Sequence, residues 1–239
     1  MTASPLPLRV KVFADGADVE GIRSLAADPF VKGFTTNPTL MRKAGVDNYE
    51  QFAREVLDVV TDKPISFEVF SDEFDEMLEQ ARKISSWGPN VNVKIPITNT
   101  RGESSGPLLR TLAAENISVN VTALMTLEQV AEVVRCLEGG PSSFVSVFAG
   151  RIADTGRDPV PLMTAALALL APAPNLELIW ASPREVLNVA QADAIGCHVI
   201  TVTNDLISKL SLFGHDLRQF SLETVEMFRN DAQAAGFSL

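Results

Sequence analysis

Eight short apolar segments, separated by helical patterns, restrict the fold of this chain more than any other feature. They have the length and the β-branched and aromatic content of buried strands, and they cover residues 10–14, 31–34, 65–69, 91–95, 117–121, 144–148, 176–181 and 197–202. The segments between them, such as 49–60, 73–87 and 127–137, carry apolar residues three and four positions apart, as amphipathic helices do. Strands that alternate with helices in this way predict a parallel sheet.

Eight β/α units in 239 residues favour an α/β fold of the (β/α)8 TIM barrel type over a doubly wound open sheet. The first predicted strand is followed by FADGAD, which has a single glycine and lacks the glycine-rich loop that binds dinucleotides. We expect one domain, with the barrel over residues 9–212 and a C-terminal helical extension over 213–239. Within that extension, residues 222–235 form an amphipathic helical pattern.

Charge and cysteine content narrow the class of protein. The net charge of −10 argues against nucleic acid or an anionic membrane as the main partner. Cys136 and Cys197 form no CxxC motif or Cys/His cluster, so we expect buried thiols. The N-terminus has no signal-peptide pattern, and the longest apolar stretch, 162–171, is too short to cross a bilayer. We therefore expect a cytoplasmic location.

Polar residues gather at one end of the predicted strands. In barrels of this kind the catalytic groups lie where strands end and the loops to the helices begin. Seven of the eight strands end in polar or ionisable residues, and the opposite ends show no comparable set. These residues are Asp15, Asn37, Glu68, Lys94, Asn120 with Thr122, Ser146 with Arg151, and Ser182 with Arg184. This asymmetry indicates an enzyme.

Lys94 indicates Schiff-base chemistry. A half-buried ammonium is costly unless it is paired, and burial favours the neutral amine, which can attack a carbonyl. Imine formation needs proton transfer, for which Glu68 and Asp15 are available, while Asn37 and Asn120 can hold substrate hydroxyls.

A second group of residues suits a phosphate. Arg151 and Arg184 can bind a phosphate bidentately, and Ser182 can add a hydroxyl donor.

Each of these residues also has a purely structural interpretation, which the sequence leaves open. Lys94 could form a structural ion pair with Glu68. Asn37 could cap a helix, Asp15 could lie in a turn, Arg151 could form a surface ion pair with Asp154, and Ser182 could be a helix N-cap.

The ordered motifs resemble those of the transaldolase family, most closely its small single-barrel branch, which is related to the fructose-6-phosphate aldolases. The motifs are FADGAD, GFTTNPTLM, ISFEVFSD, VNVKIPIT, ISVNVTALMT, FVSVFAGRIADTG and ASPRE. The segments TTNPTL and VKIP are the most specific of them. The resemblance implies a (β/α)8 barrel and class I aldolase chemistry with no metal or organic cofactor.

The resemblance also implies roles for individual residues. Lys94 is similar to the Schiff-base lysine, Asp15 to the general acid/base at the hydroxyl of the cleaved carbon, and Glu68 to the carboxylate that acts through a water in imine formation. Thr36, Asn37, Asn120 and Thr122 resemble substrate- and water-positioning residues. Ser146 and Phe148 match wall positions, and Arg151, Ser182 and Arg184 match a phosphate clamp.

The implied reaction transfers a dihydroxyacetone unit from a ketose phosphate, fructose 6-phosphate or sedoheptulose 7-phosphate, to an aldose phosphate in the pentose phosphate pathway. Glu68 and Phe148 favour a transaldolase, because fructose-6-phosphate aldolases usually have glutamine and tyrosine there. Departures at Val147, Ala149 and Pro183 leave the acceptor open, so a transaldolase specialised for another sugar phosphate also fits. An aldolase that releases dihydroxyacetone and a non-catalytic sugar-phosphate-binding barrel stay open as well. Small family members form rings of subunits, so we expect a homo-oligomer.

Overall fold

A closed barrel of eight parallel strands, arranged in chain order, forms the centre of residues 8–237, which are the residues that the computed structural model describes. The strands are β1 (Lys11–Asp15), β2 (Val31–Thr35), β3 (Ile65–Glu68), β4 (Val91–Pro96), β5 (Val119–Leu124), β6 (Ser143–Val147), β7 (Leu176–Trp180) and β8 (Val199–Val202). Strand β8 pairs with β1 and closes the barrel. The predicted (β/α)8 TIM barrel is thus confirmed.

Helices surround the barrel. They are α1 (Val19–Ala26), α2 (Pro38–Lys43), α3 (Tyr49–Leu57), α4 (Phe74–Ser85), α5 (Gly106–Ala114), α6 (Leu127–Leu137), α7 (Ala149–Asp154), α8 (Val160–Leu170), α9 (Leu187–Ala194), α10 (Asn204–Lys209) and α11 (Leu217–Ala234). Among the described residues, no helix is both long and apolar enough to span a membrane.

A cluster of apolar side chains lies in the barrel interior below the C-terminal ends of the strands. Phe13, Phe144, Ile179 and Val199 form a buried cluster, in which the two phenylalanine rings meet edge to face at 5.4 Å between centroids. A Cβ at Gly33 would lie 2.5 Å from the ring of Phe13, so only glycine fits beside that ring on β2. We call these four buried side chains the barrel floor.

The barrel floor explains where an open cavity can form. Side chains two positions apart point to the same side of a strand. The residue two positions after each floor residue therefore points to the same side, nearer the C-terminal end of the strand. Asp15 follows Phe13 and Ser146 follows Phe144, and both of these later residues line an open cavity. The polar strand ends therefore face the space above the floor.

The C-terminal helix differs from the others because none of its side chains is buried. It begins at Leu217, five residues before the predicted start, because the side chain of Asp216 caps it by accepting hydrogen bonds from the backbone N–H groups of Arg218 and Gln219. Large apolar side chains such as Phe220 and Phe228 remain 41% and 62% exposed.

Candidate active site

A cavity of about 400 Å³ lies above the barrel floor, at the C-terminal ends of the strands. That size suits a small-molecule ligand. Ten of the sequence-predicted site residues line it: Asp15, Asn37, Glu68, Lys94, Asn120, Thr122, Ser146, Phe148, Arg151 and Ser182. The strand register brings three of them side by side, since Glu68 pairs with Lys94 and Lys94 pairs with Asn120.

Lys94 is buried, with 7% of its surface exposed, and its amine has two partners. The Nζ atom lies 3.0 Å from Oε2 of Glu68 and donates to the backbone carbonyl of Thr36 at 3.1 Å. The ion pair expected from the structural interpretation is therefore present, and it lies in the cavity wall. A carboxylate at this distance can also accept the proton that the ammonium must lose before it attacks a carbonyl, so the pair serves both interpretations.

Asp15 stands across the cavity in a network of its own. Its Oδ1 accepts a hydrogen bond from the Thr35 hydroxyl at 2.8 Å, and its Oδ2 accepts one from Asn37 Nδ2 at 3.4 Å. Burial raises the pKa of Asp15 above its usual value, against the opposing effects of the Lys94 charge and of these two hydrogen bonds. A carboxyl group with a raised pKa is suited to taking up and returning a proton near neutral pH.

Asn37 both caps a helix and faces the cavity. Its Oδ1 accepts from the backbone N–H of Leu40 at 2.9 Å, which fixes the side chain at the start of α2. The cap leaves Nδ2 to donate to Asp15. Asn37 therefore caps α2 with its amide oxygen and contacts Asp15 in the cavity with its amide nitrogen.

A row of polar side chains continues around the wall. Asn120 donates from Nδ2 to the Ser66 hydroxyl at 3.0 Å and accepts at Oδ1 from the Ser146 hydroxyl at 2.7 Å, so its amide orientation is fixed. The buried hydroxyl of Thr122 has no hydrogen-bond partner among the described residues and lies in the cavity wall. A buried hydroxyl in this position calls for a water or a ligand group.

A strand irregularity accompanies this unpaired hydroxyl. The register between β5 and β6 shifts between Val121 and Leu124, and Ala123 has a φ of 65°. Bulges of this kind change the direction of side chains beside functional sites. The irregularity also moves the end of β5 to Leu124, three residues beyond the predicted end.

The residues predicted to bind phosphate divide into two environments. Arg151, at the start of α7, lines the cavity with its guanidinium carbon 5.8 Å from the centroid of the Phe148 ring. Arg184 does not line the cavity in the described part of the chain. It donates to Asp154 twice, from Nε to Oδ1 at 2.9 Å and from Nη2 to Oδ2 at 2.5 Å. Asp154 thus pairs with Arg184, and the hydrogen bonds of the described residues include none between Asp154 and Arg151.

Ser182 lines the cavity in a strained backbone conformation. Its φ is 57°, and helix α9 begins only at Leu187, so Ser182 does not act as the helix N-cap that the sequence allowed. Thr36 is placed differently from its prediction as a substrate-binding side chain. Its hydroxyl donates to the Ser66 carbonyl at 3.0 Å within the buried wall, and only its backbone carbonyl reaches Lys94.

The site also contains residues that the sequence pattern did not single out. Thr35 and Thr201 line the cavity, and Ser66 orients Asn120. Tyr49 donates from its hydroxyl to the Glu68 carbonyl at 2.8 Å and fixes the end of β3. The two-residue period could have found Ser66, which precedes Glu68 by two positions, but Tyr49 lies on α3 and carries no such signal. Within residues 8–237, no group of three or more His, Cys, Asp or Glu side chains has the arrangement of a metal site.

Comparisons with known proteins place the chain among related sequences. A family model described as transaldolase/fructose-6-phosphate aldolase matches residues 12–239. "Probable transaldolase 2" of Listeria monocytogenes is 34% identical over 215 residues, which cover 90% of this chain and 93% of the relative. "Probable transaldolase" of Streptococcus agalactiae serotype V is 35% identical over 223 residues, with 90% and 95% covered.

Solved structures share the fold at low sequence identity. Orotidine 5'-monophosphate decarboxylase from Metallosphaera sedula is 13% identical with a TM-score of 0.56, and the match covers 88% of this chain and 98% of that one. A 2,3-dimethylmalate lyase is also 13% identical with a TM-score of 0.54, covering 97% and 85%. Likeness at this level concerns the fold alone.

Proposed function

The chain belongs to the transaldolase/fructose-6-phosphate aldolase family, and we propose that it is a transaldolase that moves a dihydroxyacetone unit between sugar phosphates through a Schiff base on Lys94. The observation that carries the proposal is the buried amine of Lys94, 3.0 Å from the Glu68 carboxylate in the wall of the cavity. The pentose phosphate pathway and a cytoplasmic location belong to the same proposal.

Imine formation begins when the Lys94 ammonium gives a proton to Glu68. The free Nζ attacks the C2 carbonyl of the ketose phosphate and forms a carbinolamine, and the C2 hydroxyl then leaves as water. Glu68 moves the protons, and the unpaired hydroxyl of Thr122 would hold the water that carries them. The amide of Asn120, fixed from both ends, would bind a hydroxyl of the dihydroxyacetone part.

Carbon–carbon cleavage then uses Asp15 as the base. Asp15 takes the proton from the C4 hydroxyl, the C3–C4 bond breaks, and its electron pair moves into the iminium to leave an enamine on Lys94. The aldose phosphate departs. The enamine carbon attacks the acceptor aldehyde, Asp15 returns the proton to the new hydroxyl, and hydrolysis of the imine frees the new ketose phosphate. The raised pKa of Asp15 supports this exchange in both directions.

The phosphate group would bind at the rim. Arg151 and Ser182 already line the cavity, and Arg184 lies beside the first turn of α7, so the three could form the proposed clamp. A homo-oligomer is part of the proposal and is supported by the exposed apolar residues of α11.

Borohydride reduction in the presence of fructose 6-phosphate tests the Schiff base. Peptide mass mapping should find the reduced adduct on Lys94 and none in Lys94→Ala, whose fold is checked by circular dichroism. Lys83→Ala, which changes an exposed lysine on α4, should retain the adduct. A wild-type protein that binds the sugar phosphate without any adduct on Lys94 would contradict the mechanism and favour the non-catalytic barrel.

Product analysis separates the transaldolase from the runner-up aldolase. With fructose 6-phosphate alone, the proposed enzyme should retain the dihydroxyacetone unit, and turnover should need an aldose phosphate such as erythrose 4-phosphate. Steady release of free dihydroxyacetone without an acceptor would favour the aldolase. A panel of acceptors would show whether a different sugar phosphate is preferred.

A further inference from the structure

One arginine of the proposed phosphate clamp is already bound to a carboxylate. Asp154, at the end of α7, accepts hydrogen bonds from two nitrogens of Arg184. Arg184 is not among the described residues that line the cavity. Arg151 lies three positions before Asp154 on the same short helix and does line it. Asp154 is therefore placed between one arginine that faces the cavity and one that it holds outside.

Gly150 brings the held arginine close to the cavity. A Cβ at this position would lie 1.5 Å from the carbonyl oxygen of Ser182 and 3.5 Å from Cζ of Arg184. The backbone N–H of Gly150 also donates to the Ala181 carbonyl at 3.3 Å. The loop after β7 thus rests directly on the turn that carries Arg151. Asp154 occupies the Nε and Nη2 edge of the guanidinium, so Arg184 can offer this bidentate edge to a phosphate in the cavity only if both bonds to Asp154 break.

The ion pair is of a kind that a phosphate can displace. The side chains of Arg184 and Asp154 are 46% and 52% exposed, and water solvates both partners of such pairs, which makes them weak. A phosphate next to Arg151 would offer Arg184 charge-assisted hydrogen bonds in a less exposed place. The hydrogen bonds from Arg184 also hold the pKa of Asp154 below its usual range, so the competing carboxylate is charged at neutral pH.

We propose that Asp154 is a specificity-determining residue, which holds Arg184 outside the cavity and competes with the phosphate group of a ligand for its guanidinium. The proposal rests on the proposed function in one respect, namely that the natural ligand is a sugar phosphate. Ligands with a phosphate draw Arg184 into the clamp, and ligands without one leave it paired with Asp154. The carboxylate thereby sets how much a phosphate adds to binding.

Asp154→Asn tests the competition, because asparagine keeps the shape and removes the charge. Inorganic phosphate, titrated calorimetrically at low ionic strength, should bind about two- to five-fold more tightly to the variant, the range expected for loss of an exposed ion pair. The KM for fructose 6-phosphate should fall by a similar factor. The reference for this change in KM is the rate at which borohydride traps dihydroxyacetone. Dihydroxyacetone carries no phosphate.

Asp158→Asn is the matched control. It removes the same charge four residues away, and its amide oxygen can still accept from the backbone N–H of Val160, as Asp158 does at 3.0 Å. Its phosphate affinity should stay at the wild-type value. When Arg184 is already replaced by glutamine, Asp154→Asn should not increase the phosphate affinity further, because the guanidinium for which Asp154 competes is gone.

Three results would overturn the proposal. Unchanged phosphate affinity in Asp154→Asn would mean that there is no competition, and weaker affinity would mean that the carboxylate positions Arg184 for the ligand. An equal gain in Asp158→Asn would assign the effect to general charge. Failure of the Lys94 adduct in the wild type would instead sink the proposed function, and the phosphate titrations would still decide the role of Asp154.

Discussion

The pKa of Asp15 results from opposing influences that single substitutions can separate. Burial raises its pKa, while the Lys94 charge and the hydrogen bonds from Thr35 and Asn37 lower it. The Thr35 hydroxyl stabilises the ionised carboxylate at 2.8 Å. Removing this donor leaves burial less opposed, so the pKa of Asp15 must rise further.

Thr35→Val should therefore shift the pH dependence of the enzyme. Because the proposed cleavage step needs ionised Asp15, activity is lost as pH falls through its pKa, and a higher pKa moves this acid limb to higher pH. The measurement is kcat/KM against pH for the variant and the wild type. Thr201→Val makes the same chemical change in the cavity wall away from the hydrogen bonds of Asp15, and should leave the limb in place. A limb that moves to lower pH would contradict the assignment of Asp15.

At the scale of the strand, Gly33 is the position where β2 meets the barrel floor. A methyl group there would lie 2.5 to 2.7 Å from three atoms of the Phe13 ring, which is itself 1% exposed and packed on Phe144. Because the ring is buried and packed on Phe144, it can give way to a methyl group only if its neighbours also shift.

Gly33→Ala should lower the free energy of unfolding by about 1 to 3 kcal/mol, the usual cost of an overpacked core. Urea denaturation followed by circular dichroism measures it. Gly16→Ala is the control, because a Cβ at Gly16 meets nothing within 4 Å. Equal stability of the two variants would show that the floor can rearrange around the added methyl group.

The length of the apolar segments and their β-branched and aromatic content made the strands predictable. Every predicted strand overlaps an observed one. The differences arise where backbone geometry is decided by contacts. The irregularity at Ala123 in β5 depends on pairing with β6, and no local residue pattern announces it.

The site was predictable where strand ends alone place a residue, and it was not where two loops meet. Lys94 and Glu68 lie at facing register positions of neighbouring strands, so their contact follows from the barrel. The choice of Arg184 rather than Arg151 as the partner of Asp154 depends on how the loop after β7 rests on Gly150. That approach is a tertiary contact with no sequence period.

For the whole molecule, the C-terminal helix is an exposed apolar surface. Leu217, Phe220 and Phe228 follow one another at helical spacing on one side of α11, and none is buried. An amphipathic helix gains stability mainly by packing its apolar side. We therefore expect a second copy of the chain to cover the apolar side of α11.

Phe228→Glu should therefore give a smaller species than the wild type in size-exclusion chromatography with light scattering. A charge placed in a buried apolar contact is strongly unfavourable, whereas the same charge on the opposite side of the helix is solvated. Asn230→Glu supplies that comparison and should keep the wild-type mass. A wild-type protein that elutes as a monomer would rule out this use of α11.

The barrel floor of Phe13, Phe144, Ile179 and Val199 also affects the order in which molecules bind to and leave the cavity. Since these side chains lie in the barrel interior below the C-terminal ends of the strands, molecules enter and leave the cavity on the side of the strand ends. In the proposed reaction, part of the substrate stays attached to Lys94, so the first aldehyde has to leave by the route through which the second arrives. Departure has to precede arrival, and the two aldehydes compete for a single passage.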